Sequence, residues 1–329
     1  MEAAMEQYHA DLCVFAYRML GSLLETERIV EQTFSLASCQ LKACHERESV
    51  RALLFTIILK VCLDTLATQP RRTLPSLSHA PADPSEQPAA PKSASLWLEP
   101  FPDDLCPEIM PESETGYGAR EIISLPFIAA LQFVPPQERA VVVLCDTMGW
   151  RPDQVADVLK INNSEVNDLL KLARAIMLQQ YPAELGRREP PSPPKATALL
   201  MQYLHPWETA NLDGLMNRLT NDVTLEIPPS PSWYQGSEAV RRYLASHEFV
   251  GEARGRWHLL PRRANGQFAF GTYEQDDAAL EYVAHSIQVL TFSQDLISGI
   301  ISFANRALFP AFKLLPRVLA QGRMPPRSD

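Results

Sequence analysis

Apolar positions recur at three- and four-residue steps through the first 68 residues, the spacing of one helical face. Leu12, Phe15, Ala16, Met19 and Leu20 form the first such face. Gly21-Ser22 interrupts it, with Ser22 placed to cap the second helix. Ile29, Val30, Thr33, Phe34 and Ala37 continue the pattern. Val50, Leu53, Leu54, Ile57, Ile58, Val61, Cys62 and Leu66 make a third, long helix with almost no polar side before Lys60 and Asp64. Pro70 is the first proline, so nothing earlier forces a helix break. The pattern predicts an all-α domain over residues 1–69.

Periodicity lapses over residues 70–118, which are rich in Pro, Ser, Ala and acidic side chains and read as an extended linker. One island differs: Leu96-Trp97-Leu98-Glu99-Pro100-Phe101-Pro102, whose aromatics are expected to dock on something. Helical spacing returns over 119–181, with helices expected at 121–133 and 137–146 on either side of Pro135-Pro136. Pro152 then opens a short helix with Val155, Ala156, Val158 and Leu159 on its apolar face. Residues 160–163 break it, and Asn163 or Ser164 is placed to cap the next helix, whose apolar side is Val166, Leu169, Leu170 and Ala173. Two short amphipathic helices around a tight turn make a helix-turn-helix. In a DNA-binding version, Ser164, Glu165, Asn167, Asp168 and Lys171 face the major groove. On pattern alone, a DNA reader and a plain αα-hairpin remain equally open.

Residues 182–195 form a second Pro-rich linker. Beyond it the period changes. Helices are expected at 199–208, 212–219 and 237–246, the last capped by Ser237, and a strand at 223–227. Residues 228–236 read as a loop. Further strands are expected at 257–264, 268–274, 282–292 and 297–303, a final helix at 308–315, and a frayed tail from 321. Asn265-Gly266 is a strong hairpin turn signal. The fold class is therefore multidomain: two all-α helical domains followed by an α+β cone over 196–316.

Composition narrows the partners. The chain has 329 residues, 28 of them Pro, and a formal net charge of −9, so non-specific phosphate binding by the whole surface is excluded. A local basic patch, or a partner supplying most DNA contacts, is not. The six cysteines (13, 39, 44, 62, 106 and 145) form no Cys-x-x-Cys pair and mostly lie in helical apolar patterns, as core thiols of a reducing cytosol do. Cys39, Cys44 and His45 lie close together but lack a fourth ligand, so no metal is expected. The N-terminus has no apolar signal region, and the run 52–59 is too short to span a bilayer.

Four stretches carry a family resemblance. Tyr17-Arg18-Met19-Leu20-Gly21-Ser22 followed by Val30-Glu31-Gln32-Thr33-Phe34 resembles region 2 of an extracytoplasmic-function (ECF) sigma factor of the sigma-70 family. Residues 131–140, Gly149-Trp150, Val166-Asn167 and Ala173-Arg174 resemble region 4 of the same family. The C-terminal part is similar to a SnoaL-like domain of the nuclear-transport-factor-two superfamily, through residues 228–236, 263–267, 271–273 and 288–291. Trp97-Leu98-Glu99-Pro100 is similar to a linker motif of sigma factors with this extension.

The resemblance implies a cytoplasmic bacterial protein that binds core RNA polymerase and promoter DNA, with the SnoaL-like domain regulating the sigma core in cis and no cofactor. It places Glu27, Arg28, Glu31 and Gln32 against the polymerase. It places Arg51, Phe55 and Lys60 of the third helix, with Arg151, Ser164, Glu165, Asn167, Asp168, Lys171 and Arg174, against DNA. The chain departs from the family at Arg28, where an acidic residue is usual, and in the order of Glu31-Gln32. Leu53, Thr56 and Lys60 stand where Trp, Arg and Asn are usual. From Ser164 to Met177 the second helix is neutral, Lys171 and Arg174 balancing Glu165 and Asp168.

A cone fold suits a small ligand. Its candidate lining is Trp207, Glu226, Trp233, Tyr234, Tyr273, Tyr282 and His285, with Trp257 beside them; His258 reads as exposed. His285 is the one acid–base candidate, and its alternation with aliphatics favours a structural role. No paired carboxylate or nucleophile constellation stands out, so an enzyme is not expected. Two other readings stay open: a small-molecule binder or enzyme carrying degenerate sigma domains, and a helix-turn-helix regulator that works without polymerase.

Overall fold

The computed structural model describes residues 5–40, 47–106, 123–181, 193–251, 254–276 and 281–319. The chain forms two compact units. The first comprises Met1–Leu77, Ser93–Arg188 and Ala264–Gly266; the second comprises Ser78–Lys92, Glu189–Arg263 and Gln267–Asp329.

The helical unit begins with α1 (His9–Leu20), buried all round from Leu12 onward. Such a helix belongs at a centre rather than on a surface. Gly21 ends it in the left-handed conformation (φ +66°), its N–H donating to Tyr17 O at 2.7 Å. A Cβ there would also overlap Leu98, so the position needs glycine twice over. Ser22 then caps α2 (Leu23–Gln40) as expected, its Oγ accepting from Glu25 N at 3.2 Å. α3 (Arg47–Thr68) packs on both, with Phe55 edge-on to Phe15 at 5.6 Å.

The described part of the expected linker forms two packed strips, in different units; residues 107–118 lie outside the described residues. Residues 93–106 lie in the helical unit. Thr73 N donates to Leu96 O and Leu98 N to Thr73 O, at 2.9 and 3.0 Å. Trp97, Leu98 and Phe101 are buried. Each such side chain stabilises by about 1.5–3 kcal/mol, enough to order a proline-rich strip. Residues 79–92 lie in the other unit, where Trp233 Nε1 donates to His79 O and Ala82 N to Trp233 O.

α4 (Leu125–Leu131) is shorter than the pattern predicts and starts at a Ser124 cap. α5 (Pro136–Val142) does not run on to residue 146; the chain widens into a single π-turn, Val143–Thr147. The helix-turn-helix is completed by α6 (Pro152–Leu159) and α7 (Asn163–Gln180). Its cap is Asn162, one residue before the expected pair, with Oδ1 accepting from Glu165 N at 2.9 Å. Lys160, in left-handed backbone (φ 60°), ends α6 at Leu159 as the pattern predicts, and Asn162 beyond it is extended.

In the second unit, α8 (Pro193–Glu208) and α9 (Leu212–Met216) precede a seven-stranded sheet. Its strands are β1 (Leu219–Glu226), β2 (Trp233–Gln235), β3 (Trp257–Ala264), β4 (Gln267–Asp276), β5 (Glu281–Ser293), β6 (Leu296–Phe303) and β7 (Arg317–Leu319). The order is β2-β1-β6-β5-β4-β3, with β7 on β5 and the β1–β6 pair parallel. The sheet is therefore mixed, not purely antiparallel. Tyr203, Trp207, Leu215, Val223, Leu225, Trp257, Phe270, Leu290 and Ile300 share one core.

Three local expectations fail here. The loop 228–236 contains β2. Helix α10 (Ser237–His247) takes Gly236 (φ +89°), not Ser237, as its cap residue. The final helix is replaced by 3-10 turns at Arg306–Leu308 and Pro310–Phe312, because Pro310 and left-handed Lys313 (φ 53°) prevent continuation. Among the described residues no helix is long and apolar enough to cross a membrane.

Candidate nucleic-acid interface and its supports

Helix α7 buries Val166, Leu170, Ala173 and Met177. Its remaining face exposes Ser164, Glu165, Asn167, Asp168, Lys171 and Arg174. A shallow concavity of about 400 Å³ lies along Asn162, Ser164, Glu165, Asp168, Leu169 and Leu172. Asn167 presents both a donor and an acceptor, the pair that reads adenine in a major groove.

Three cations of this surface are each held by a carboxylate. Lys171 Nζ lies 3.3 Å from Asp168 Oδ1. Arg151 grips Asp153 with Nε and Nη2 at 3.0 and 2.8 Å. Arg174 grips Asp146 with the same two atoms at 2.9 and 2.7 Å. The first two pairs are exposed on both sides, whereas the Asp146 side chain is only 2% exposed.

Arg139 is buried rather than available to DNA. Its guanidinium donates to Val134 O, Met19 O, Gln132 O and Gln132 Oε1. Burial lowers its pKa, and the nearby Arg71 lowers it further. Arg18, also buried, donates to Thr147 Oγ1 at 3.0 Å, and Thr147 donates onward to Val143 O. The π-turn thus touches α1 through Thr147 and α7 through Asp146. A π-turn often marks a functional position, and here it re-aims two successive side chains.

On α3, Lys60 is exposed, but Phe55 is fully buried, its ring 4.7 Å from that of Trp150. Arg51 lies 4.5 Å over the Trp150 ring. On α2, Glu27, Arg28, Glu31 and Gln32 all lie on the exposed face, with Arg28 paired to Glu25 at 2.7 Å. Partial burial raises the Glu27 pKa, and Glu31 raises it further.

Two residues whose partners the sequence reading did not find organise the helical unit. Glu99 Oε2 accepts from Ser22 Oγ at 2.7 Å and from Leu24 N at 3.1 Å, a carboxylate set on the α2 N-terminus by a distant segment. Tyr17 donates to the Glu99 carbonyl at 2.8 Å. Asn265 Nδ2 donates to Tyr17 Oη at 2.8 Å and to Ile123 O at 2.7 Å, while its Oδ1 accepts from Phe101 N at 2.8 Å. Gly266 N donates to Asp103 Oδ1. The Asn-Gly pair gave the turn, but nothing local in sequence tells where the Asn265 amide points.

The proposed ligand-cavity residues lie in several packing environments of the sheet unit. Trp207 and Tyr234 share the apolar core with Trp257. Tyr273 instead donates to Leu315 O and packs edge-on to Phe309. Tyr282 donates to Gly255 O, and Trp233 is tied to His79 O. Glu226 is buried on β1. His285 lies edge-on to Trp257 at 5.0 Å, and burial holds its imidazole below the ordinary histidine range. His258, expected exposed, is half-buried and sits 3.0 Å from Glu208. Glu248, at the end of α10, has its carboxyl pushed up to about 7 by burial. Among the described residues no His, Cys, Asp and Glu side chains gather as a metal site; Cys44 and His45 lie outside them.

No family model matches the chain. Sequence comparison gives ECF RNA polymerase sigma factor SigG of two Mycobacterium tuberculosis strains, each 33% identical over 314 residues, covering 95% of this chain and 83% of the relative. In fold, the chain is similar to the crystal structure of M. tuberculosis extracytoplasmic function sigma factor SigJ, with a TM-score of 0.56 at 19% identity over 96% of this chain and all of that one. An identity of that size along nearly the whole chain, on a helical unit that builds the expected helix-turn-helix, shows that this protein belongs to the ECF RNA polymerase sigma factor family.

Proposed function

We propose that the chain is a transcription initiation factor that binds core RNA polymerase and directs it to promoter DNA. The helix-turn-helix carries the reading: α7 is capped, anchored by four buried side chains, and presents Ser164, Asn167 and Lys171 outward. Glu165 sits in the same row, where a carboxylate accepts from cytosine, and Asp168 beside it restrains Lys171. Arg151 precedes α6 and adds a second cation. Net charge −9 fits a factor whose polymerase supplies the non-specific grip. The exposed row Glu27, Arg28, Glu31 and Gln32 offers the polymerase a polar helix face. Lys60 faces outward, but base stacking on Phe55, with Arg51 beside it, requires the Trp150 contact to open. The SnoaL-like domain acts on the sigma core in cis.

Reconstituted transcription with core polymerase tests this. A promoter-dependent transcript that needs the chain is the expected result. Absence of any such transcript overturns the proposal.

A further inference from the structure

We propose that Asp146 is a positioning residue for DNA recognition, fixing helix α7 through Arg174, and that Arg174 is therefore not a phosphate contact. This rests on the DNA-reading role given above. Sequence places Arg174 in the DNA-facing row, but its geometry sets it apart from the other two cations there. Lys171 and Arg151 pair with carboxylates two or three residues away, with side chains 54–77% exposed. Such pairs are weak, and a phosphate replaces the carboxylate at little cost. Arg174 pairs across 28 residues with a carboxylate that is 2% exposed, through two parallel bonds. Pulling Arg174 away breaks both bonds to a buried carboxylate, the costly half of a broken buried pair.

Asp146 is also well placed to transmit position. It lies in the π-turn Val143–Thr147, off the recognition helix, and its neighbour Thr147 is held by buried Arg18. Arg174 is on the second half of α7, about two turns beyond Asn167. A bidentate anchor at that distance sets the helix's rotation and slide, and so decides which base edge Asn167 reaches. Lys171 and Arg151 then remain as the phosphate contacts of this surface.

The test uses full-length protein and duplex DNA selected from a random library by the wild type together with core polymerase. Affinity is measured across a salt series for Asp146→Asn, Arg174→Gln and the double variant, and amide exchange of α7 is measured without DNA. Asp146→Asn and Arg174→Gln should weaken binding equally, on the order of tenfold, and the double variant should be no worse than either. The salt slope should stay at its wild-type value, and α7 amides should exchange faster in all three. Arg174→Gln flattening the slope by about one while Asp146→Asn binds normally would mark Arg174 as a phosphate contact and overturn the proposal. If the wild type selects no duplex, the DNA reading itself fails. The exchange measurement still decides on the anchor: unchanged α7 exchange in Asp146→Asn overturns it, and faster exchange upholds it.

Discussion

Each unit is held together internally by its own means. In the helical unit, buried polar side chains bond groups far apart in sequence: Arg18 to Thr147, Glu99 to Ser22, Arg139 to Met19, Asn265 to Tyr17. In the sheet unit, one buried polar network follows the strand register. Thr272, Ser286 and Ser302 form one hydroxyl chain across β4, β5 and β6, with links of 2.7 and 2.9 Å. The sheet core is otherwise apolar and aromatic, and each strand is fixed many times over by its ladder. The helical arrangement rests on a few such fasteners. A single lost group should therefore matter more there than in the sheet.

Arg139→Met gives that contrast its largest expected effect. The variant keeps an apolar stem but strands the oxygens of Val134, Gln132 and Met19 that Arg139 now satisfies. A loss of about 3–5 kcal/mol is expected, seen as faster amide exchange in α1 and α5. Thr272→Val in the sheet should cost no more than about 1 kcal/mol, because its neighbours Ser286 and Ser302 keep each other. Equal losses at the two sites would remove the contrast.

Asn265→Ala comes next. It deletes three side-chain hydrogen bonds at a buried residue with φ 55°. Two effects mix there, left-handed strain and lost bonds, and Asn265→Gly separates them because Gly carries no strain. Both variants should lose about 2–4 kcal/mol locally, with Gly slightly better, and protease cleavage near Phe101 should rise in both. A stable Asn265→Gly would show that the backbone turn alone holds the segment.

The same contrast explains what was legible in the sequence. Helices α1 to α3 and strands β3 to β6 stood out because their apolar residues repeat at the period of the element. The docked strip around Trp97 was flagged by its aromatics, but its partners were hidden, since Glu99 and Asn265 act through bonds across 77 and 248 residues. The π-turn left no period at all. Phe55 read as a base-stacking surface, whereas here the aromatic face is spent on Trp150 and Phe15. Arg139 and Arg174 look in sequence like any solvated cation. Only the buried oxygens around them distinguish fastener from surface charge.

A smaller effect tests the sheet unit from the electrostatic side. The Glu248 carboxyl titrates near 7 in the folded chain because burial disfavours its charge, and Glu274 adds to this against Arg256. Unfolded, a glutamate titrates near 4.3. The folded state thus holds its proton more tightly, so stability is greatest below the unfolded value and falls as pH rises from about 4.5 to 7. Glu248→Gln should be more stable than wild type at pH 8, by on the order of 2 kcal/mol, and equal to it at pH 4. A pH-independent difference in melting temperature would show that the side chain acts by packing instead.

The smallest stability effect belongs to the exposed pair on α7. Lys171 and Asp168 are mostly solvated, so Lys171→Ala should change folding by less than about 0.5 kcal/mol. Its effect on DNA should be of another kind: weaker binding to every sequence alike, with the salt slope lowered by about one. Asp168→Ala should do the reverse, freeing Lys171 and tightening binding uniformly. Asn167→Ala should spare the slope and reduce only the preference among sequences. Measured together, these three separate charge from readout on one helix face. If Lys171→Ala destabilised the fold as much as Asn265→Ala, the division between exposed cations and buried fasteners would not hold even within the helical unit.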